Sequence, residues 1–334
     1  MATFDITINI SVSIPIIGDE SIMLVTPPEN FIIRKIYLKD YSFRENITDG
    51  RGRIITEYIN AVHHHDDEDY LICLESNFDS VVHHNKPANS IGFMNGSDFD
   101  DMITLIHEQI EATVFKFFSL LHLYKEGEVT RKNSFYKYRT TQGICSTERI
   151  KEVTIEDAIT IIRYPMTIAV EELSDISDML YNHSNSYLML KNVVIDDLEY
   201  TYHTLDDSTN YKNLMTPLEV MFLKNDYGDK KEMLSKRIAV FLGGSDANMK
   251  TIYDYVKCSY RDRSDAIHEG ITQNITRSAL DELRNLIRRV SKKYMYVIEQ
   301  EITNEPNKTF EEIKDSLIAD LKNIVVTKNR LGIW

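Results

Sequence analysis

The sequence is sparing with the residues that cross-link or interrupt a fold. Its 334 residues include only 3 cysteines, 7 prolines, 12 glycines and 1 tryptophan. Cys73, Cys145 and Cys258 lie far apart, form no CxxC pair and leave an odd number, which argues against a disulfide framework and for a reducing compartment. No apolar run is long enough to span a bilayer, so no membrane partner is expected. The opening MATFDITINIS lacks the basic stretch and apolar core of a secretory signal, and the expected location is cytoplasmic. Positive charge is also short. Against 52 Asp and Glu stand 38 Lys and Arg, a net charge of -14 that excludes broad electrostatic adhesion to nucleic acid but leaves room for a local basic cleft. No internal repeat or low-complexity tract appears, no GxxxxGK[ST] phosphate loop is present, and His107-Glu108 lacks the second histidine of a zincin helix.

What is present is an ordinary globular composition, 43% hydrophobic and 27% charged, long enough for two domains or one large one. The segment FDITINISVSIPI alternates Phe4, Ile6, Ile8, Ile10, Val12 and Ile14 with polar residues, the period of a half-buried strand. Strand-like runs SIMLV, FIIRKIYLKDY, RIITEYINAV, DYLICLE and SVVHH follow, separated by turn-rich pieces. Together they predict an antiparallel sheet or sandwich over residues 1–95. From Ser97 the period changes. Phe99, Met102, Ile103, Ile106, Ile110, Val114, Phe117 and Leu121 recur at helical spacing until Gly127, predicting one long connecting helix with a capping-box-like start. Residues 128–150 read as polar and irregular, a short strand or a loop, and TIEDAITIIRY as a capped helix stopped by Pro165. Helices are predicted near 187–206, 209–224, 230–242, 246–268, 278–301 and 309–326, with Gly243-Gly244 as a break between two of them. The expected class is α+β: a β-rich module (1–95), a mixed connecting region (96–186) and a helical half (187–334).

Two polar clusters invite a chemical reading. HHHDDED, His63 to Asp69, with His83 and His84 further on, offers metal-ligand types. Neighbours on a strand point to opposite faces, however, and no second set stands at a ligand spacing. A solvated loop is the plainer reading, and a metal-dependent hydrolase the sharper one. The second cluster is YRDRSDAIHEG, Tyr260 to Gly270, where two arginines and a histidine crowd a helix end. Arg263 and His268 are five positions apart, about 140° around an ideal helix, so one helix does not join their side chains by spacing. Ser264 and Asp265 precede His268 by a helical turn and are candidates to orient its ring. A histidine titrates in the range that suits acid–base work near neutrality.

The flanks of that cluster carry a resemblance. Thr216-Pro217-Leu218-Glu219, Arg237-Ile238-Ala239, Tyr253, Arg263-Ser264, His268 and Gly270 occur in the order seen in the Apea-like branch of the HEPN superfamily, whose hallmark is an arginine followed four to six residues later by a histidine. The likeness covers roughly residues 195–300. It implies a helical bundle that forms a homodimer or larger homo-oligomer with its motifs facing each other. It implies also a metal-independent endoribonuclease without cofactor, acting in bacterial anti-phage defence or toxin-like growth arrest, restrained by a trigger or antitoxin protein. Arg263 and His268 would be catalytic, with Ser264 and Asp265 in support. Ser264 departs from the Asn, Asp or His that many active members carry after the arginine. The local charge fits an RNA partner: from Arg261 to Lys293 eight cations face five carboxylates. Arg284, Arg288 and Lys292 fall at i, i+4 and i+8, a basic stripe that with Arg261 is the candidate RNA-binding surface, a solvated helix face being the bland alternative. A non-catalytic dimerisation or RNA-binding module is the rival from outside the enzyme class.

Overall fold

The computed structural model describes residues 2–37, 41, 70–86, 96–131, 133–142, 145–154, 164–204, 206–224 and 228–334. The expected strand RIITEYINAV, the cluster HHHDDED and nearly all of the expected helix TIEDAITIIRY lie outside them. The described chain is α+β and divides into two compact units.

The first unit comprises Met1–Leu120 and Gly127–Ser177. Its sheet is antiparallel, in the order β2-β3-β1-β5-β6 for β1 (Ala2–Ile17), β2 (Phe31–Tyr37), β3 (Tyr70–Lys86), β5 (Asn133–Gln142) and β6 (Cys145–Thr154). The short β4 (Thr130–Arg131) pairs with the end of β1. β1 is central, and its alternation holds over the first part described, where Ile8, Ile10 and Val12 are buried and Asn9 and Ser11 partly exposed. Beyond it Ser13, Pro15 and Ile17 are buried along with Ile14 and Ile16, so the end of the strand is covered on both faces.

Three expectations need correction here. SIMLV is no strand; Glu20–Leu24 is a 3₁₀ turn whose N-cap Asp19 accepts from the Ser21 backbone, and local capping overrides the β-propensity of the apolar run. DYLICLE and SVVHH are one continuous strand, β3. The stretch read as polar and irregular holds β4, β5 and β6, so the sheet reaches well beyond residue 95. In β5, Phe135, Tyr136 and Tyr138 are buried while Lys137 and Arg139 are not, an alternation that charged residues between aromatics conceal.

Helix α1 (Gly96–Tyr124) buries Ile103, Ile110, Val114, Phe117 and Leu121 as its period predicts. Beyond it Gly127 has φ +122°, and a Cβ there would lie 2.5 Å from Met166 Cα, which is why the chain turns on glycine at this point.

The second unit comprises Leu121–Glu126 and Asp178–Trp334. Helix α2 (Leu173–Tyr181), not anticipated from the sequence, leads into α3 (Ser184–Leu190), a π turn (Lys191–Ile195) and α4 (Asp196–His203). Then come α5 (Asp207–Phe222), α6 (Lys230–Leu242), α7 (Asp246–His268), α8 (Arg277–Asn304) and α9 (Phe310–Arg330), close to the expected spans. Each of these five begins at a side-chain cap: Asp206, Asp229, Ser245, Thr276 and Thr309 accept from backbone N–H groups in the first turn, satisfying donors that the helix leaves open. Gly243, at φ +72°, closes α6 as the expected break.

α7 packs mainly on α6 and also on α5, and α8 packs on α3, α5 and α6. Their apolar faces, with Leu214, Leu218, Phe222, Leu234, Ile238, Val256, Leu283, Ile287, Val290 and Tyr294, form a continuous core. Arg237 of the Arg237-Ile238-Ala239 run is buried in it and donates to Phe222 O at 2.7 Å, a C-terminal carbonyl of α5. Among the described residues no helix is long and apolar enough to cross a membrane.

Candidate functional site

The cluster around Arg263 and His268 occupies the last turns of α7. Ser245 caps the helix start, and Met249, Ile252, Tyr253, Val256, Ser259 and Ala266 form its buried side. This leaves Cys258, Arg261 and His268 exposed. The helix stops where Gly270 takes φ +71° and the backbone N–H groups of Glu269 and Ile271 both donate to Asp265 O.

Arg263 sits at the edge of the buried side, against α5. Its Nε donates to Lys212 O at 3.3 Å, NH1 to Glu219 Oε1 at 3.3 Å and NH2 to Thr216 Oγ1 at 3.4 Å. The guanidinium is therefore steered by the Thr216–Glu219 segment, one of the landmarks named above, and 18% of the side chain stays exposed. Each nitrogen donates once, which leaves a second N–H on each terminal nitrogen, the pair that bidentate contact with a phosphate uses.

His268 is the last helical residue and is exposed, and no described residue hydrogen-bonds to its ring. Ser264 and Asp265 are half-buried, and neither side chain bonds the imidazole. Arg263 and His268 leave the helix in directions about 140° apart, as the spacing requires. Within one chain the four residues share a helix end but do not converge on a point.

The candidate RNA-binding residues divide. Arg261 is exposed, with Asp262 at 3.5 Å and Cys258 Sγ at 3.1 Å. Lys292 is half-buried, its Nζ 4.4 Å from the centre of the Tyr124 ring. Arg284 and Arg288 correct the sequence reading, since they are 2% and 4% exposed and point into the second unit. Arg284 donates to Thr201 Oγ1 at 2.9 Å, to Thr201 O and to Asp281 at 2.9 Å, and lies 4.4 Å over the Tyr202 ring. Burial lowers its pKa from the ordinary arginine value. Arg288 donates to His122 O at 2.7 Å, to Asn285 Oδ1 at 2.5 Å and to the Tyr202 hydroxyl. Beside them His122 Nδ1 meets Glu199 Oε2 at 2.7 Å, and its ring stacks on Tyr202 at 3.9 Å. These arginines are structural: guanidiniums so deeply buried, bonded to backbone and side-chain oxygens of their own unit, are out of reach of a phosphate in solvent. The signal that marks them is periodicity, because Arg284 and Arg288 follow Leu283 and Ile287 on the same inward stripe as Leu280, Ser291 and Tyr294. Arg289, one position on, is exposed and lines a groove of about 250 Å³ between α7 and α8 with Ile252, Tyr255 and Glu282.

Sequence reasoning named Glu219 and Thr216 only as landmarks of the resemblance; their place against Arg263 needed the packing of α5 on α7. As for metals, the strand register sets His83 opposite Asp5 and His84 opposite Phe4. Among the described residues no group of three His, Cys, Asp or Glu side chains is placed to hold an ion. No family model, no curated protein and no solved structure matches this chain.

Proposed function

We propose that the chain is a metal-independent endoribonuclease of the HEPN type, with Arg263 and His268 as its catalytic residues. The observation that carries this reading is the presentation of Arg263. It is held by α5 with terminal N–H groups to spare, at the end of a helix whose last residue is an exposed histidine without a hydrogen-bond partner among the described residues. His268 takes the proton from a ribose 2′-hydroxyl, whose oxygen forms a bond to the adjacent phosphorus as the bond to O5′ breaks. Arg263 balances the charge that gathers on the phosphate oxygens, and the departing O5′ is protonated. The products are a 2′,3′-cyclic phosphate and a 5′-hydroxyl, and the chemistry requires RNA, since DNA has no 2′-hydroxyl. Because Arg263 and His268 diverge within one chain, the site is composite: a second copy brings its own helix end, so that the arginine of one and the histidine of the other meet. Bacterial defence or growth arrest, with a restraining trigger or antitoxin protein, is the setting that the resemblance suggests.

The test is cleavage of RNA in EDTA by the wild type, His268→Ala and Arg263→Ala, with analysis of the product ends. Cleavage that leaves cyclic phosphates and is lost in both variants is expected. Activity indifferent to both substitutions removes the proposal.

One observation favours the second reading, a non-catalytic dimerisation or RNA-binding module: neither Ser264 nor Asp265 orients His268 by a hydrogen bond. On that reading RNA binds through Arg261 and is released intact.

A further inference from the structure

The acceptors that hold Arg263 are not equivalent. Lys212 O and Thr216 Oγ1 are neutral, and Glu219 Oε1 carries the one formal charge among them. Lys212, Thr216 and Glu219 stand at i, i+4 and i+7, along one face of α5, so the guanidinium lies against that helix. Neutral acceptors already fix Nε and one terminal nitrogen; orientation therefore does not depend on the carboxylate. What Glu219 contributes is charge. It offsets the single positive charge that a phosphodiester would seek, and together with burial it raises the pKa of the neighbouring Tyr260 hydroxyl. The pair is a single contact of 3.3 Å between side chains 18% and 24% exposed, in the class of weak, partly solvated ion pairs. A phosphate can displace such a partner, and until it does the arginine is compensated.

We propose that Glu219 is an internal competitor of the substrate phosphate, resting on Arg263 as a clasp that a phosphodiester must open. The inference rests on the nuclease reading for the identity of the ligand, and its test separates the two. A fluorescein-labelled 2′-O-methyl RNA oligomer, which cannot be cut by 2′-oxygen attack, is titrated at low salt and followed by anisotropy. Glu219→Gln keeps an acceptor and removes the charge, and should tighten binding roughly 2–5-fold, the span that a weak surface ion pair allows. The gain should vanish when Arg263→Gln is added, and Glu219→Asp should stay near the wild type. Thr216→Val, which removes a neutral acceptor and leaves the carboxylate, should weaken binding. Unchanged or weaker binding by a folded Glu219→Gln chain overturns the clasp, and so does tighter binding by Thr216→Val or an oligomer that no chain binds. Cleavage of unmodified RNA is scored on the same proteins. Cleavage by the wild type with unchanged Glu219→Gln affinity removes the clasp alone. Arg263-dependent tightening without cleavage keeps the clasp and removes the nuclease.

Discussion

Arg261 and Arg288 have the same side chain and opposite fates. The first stands in solvent, and the second donates to His122 O, Asn285 and Tyr202 in a dry interior. Truncating Arg288 strands buried acceptors beside the His122–Glu199 pair, so Arg288→Ala should cost about 3–5 kcal/mol in urea unfolding. Arg261→Ala should stay within about 0.5 kcal/mol of the wild type. RNA binding should report the reverse order: loss of Arg261 lowers affinity and reduces the salt slope by about one, while a folded Arg288 variant leaves the slope unchanged. A second residue reports through acid. Burial acts to raise the Glu232 carboxyl, but hydrogen bonds from Lys257, Lys236 and Tyr253 outweigh it and hold the pKa down from 4.5 to about 2. A carboxyl depressed in the folded chain stabilises above its unfolded value and loses that contribution as pH falls through the folded one. The melting temperature of Glu232→Gln should therefore lie below that of the wild type at neutral pH, and the gap should close between pH 4.5 and about 2.

Helix ends in the second unit are written as local chemistry, and Ser245 shows how. It begins α7 by accepting from Asn248 N at 3.2 Å, and Ser245→Ala should cost about 1 kcal/mol in thermal or urea unfolding. With Gly243-Gly244 as the break between α6 and α7, the helices from α5 to α9 were legible in the sequence to within a few residues, although the side chains that cap them were not singled out there. Strands were legible where one face is purely apolar, as in β1. They were lost where aromatics and cations alternate, as in Phe135 to Arg139, because tyrosine and lysine give little contrast on a hydropathy scale. The turn at Glu20–Leu24 was misread because its apolar residues outvoted one aspartate. For the candidate site, the elements were legible and the geometry was not. That Arg263 and His268 close one helix follows from spacing, whereas the Lys212, Thr216 and Glu219 contacts belong to another helix and arise only from tertiary packing. Counting charges along α8 likewise found a basic stripe, and only the phase of its apolar neighbours says which cations face inward.

The divergence of Arg263 and His268 becomes a question of assembly at the level of the molecule. If the nuclease site is composite, inactive chains should repair each other. Arg263→Ala and His268→Ala proteins mixed and allowed to exchange should recover about a quarter of wild-type activity, since random pairing makes half the dimers mixed and each holds one complete site. Sedimentation of the wild type should show the dimer in the concentration range where activity is measured. Recovery without a dimer, or a dimer without recovery, removes the shared site.

The division into units has its own consequence for taking this protein apart. The second unit is not a contiguous stretch of chain. Leu121–Glu126, the end of α1 and the residues just past it, belong to it, and they bring the His122 imidazole and the carbonyl that Arg288 requires. A gene fragment that opens at residue 178 would encode every helix of the bundle from α3 to α9 and still omit these six residues. Glu199 would then lose its histidine, and Arg288 its backbone acceptor. No single cut in the DNA separates the two units, and a swap of the helical half onto another partner has to carry the last turn of α1 with it.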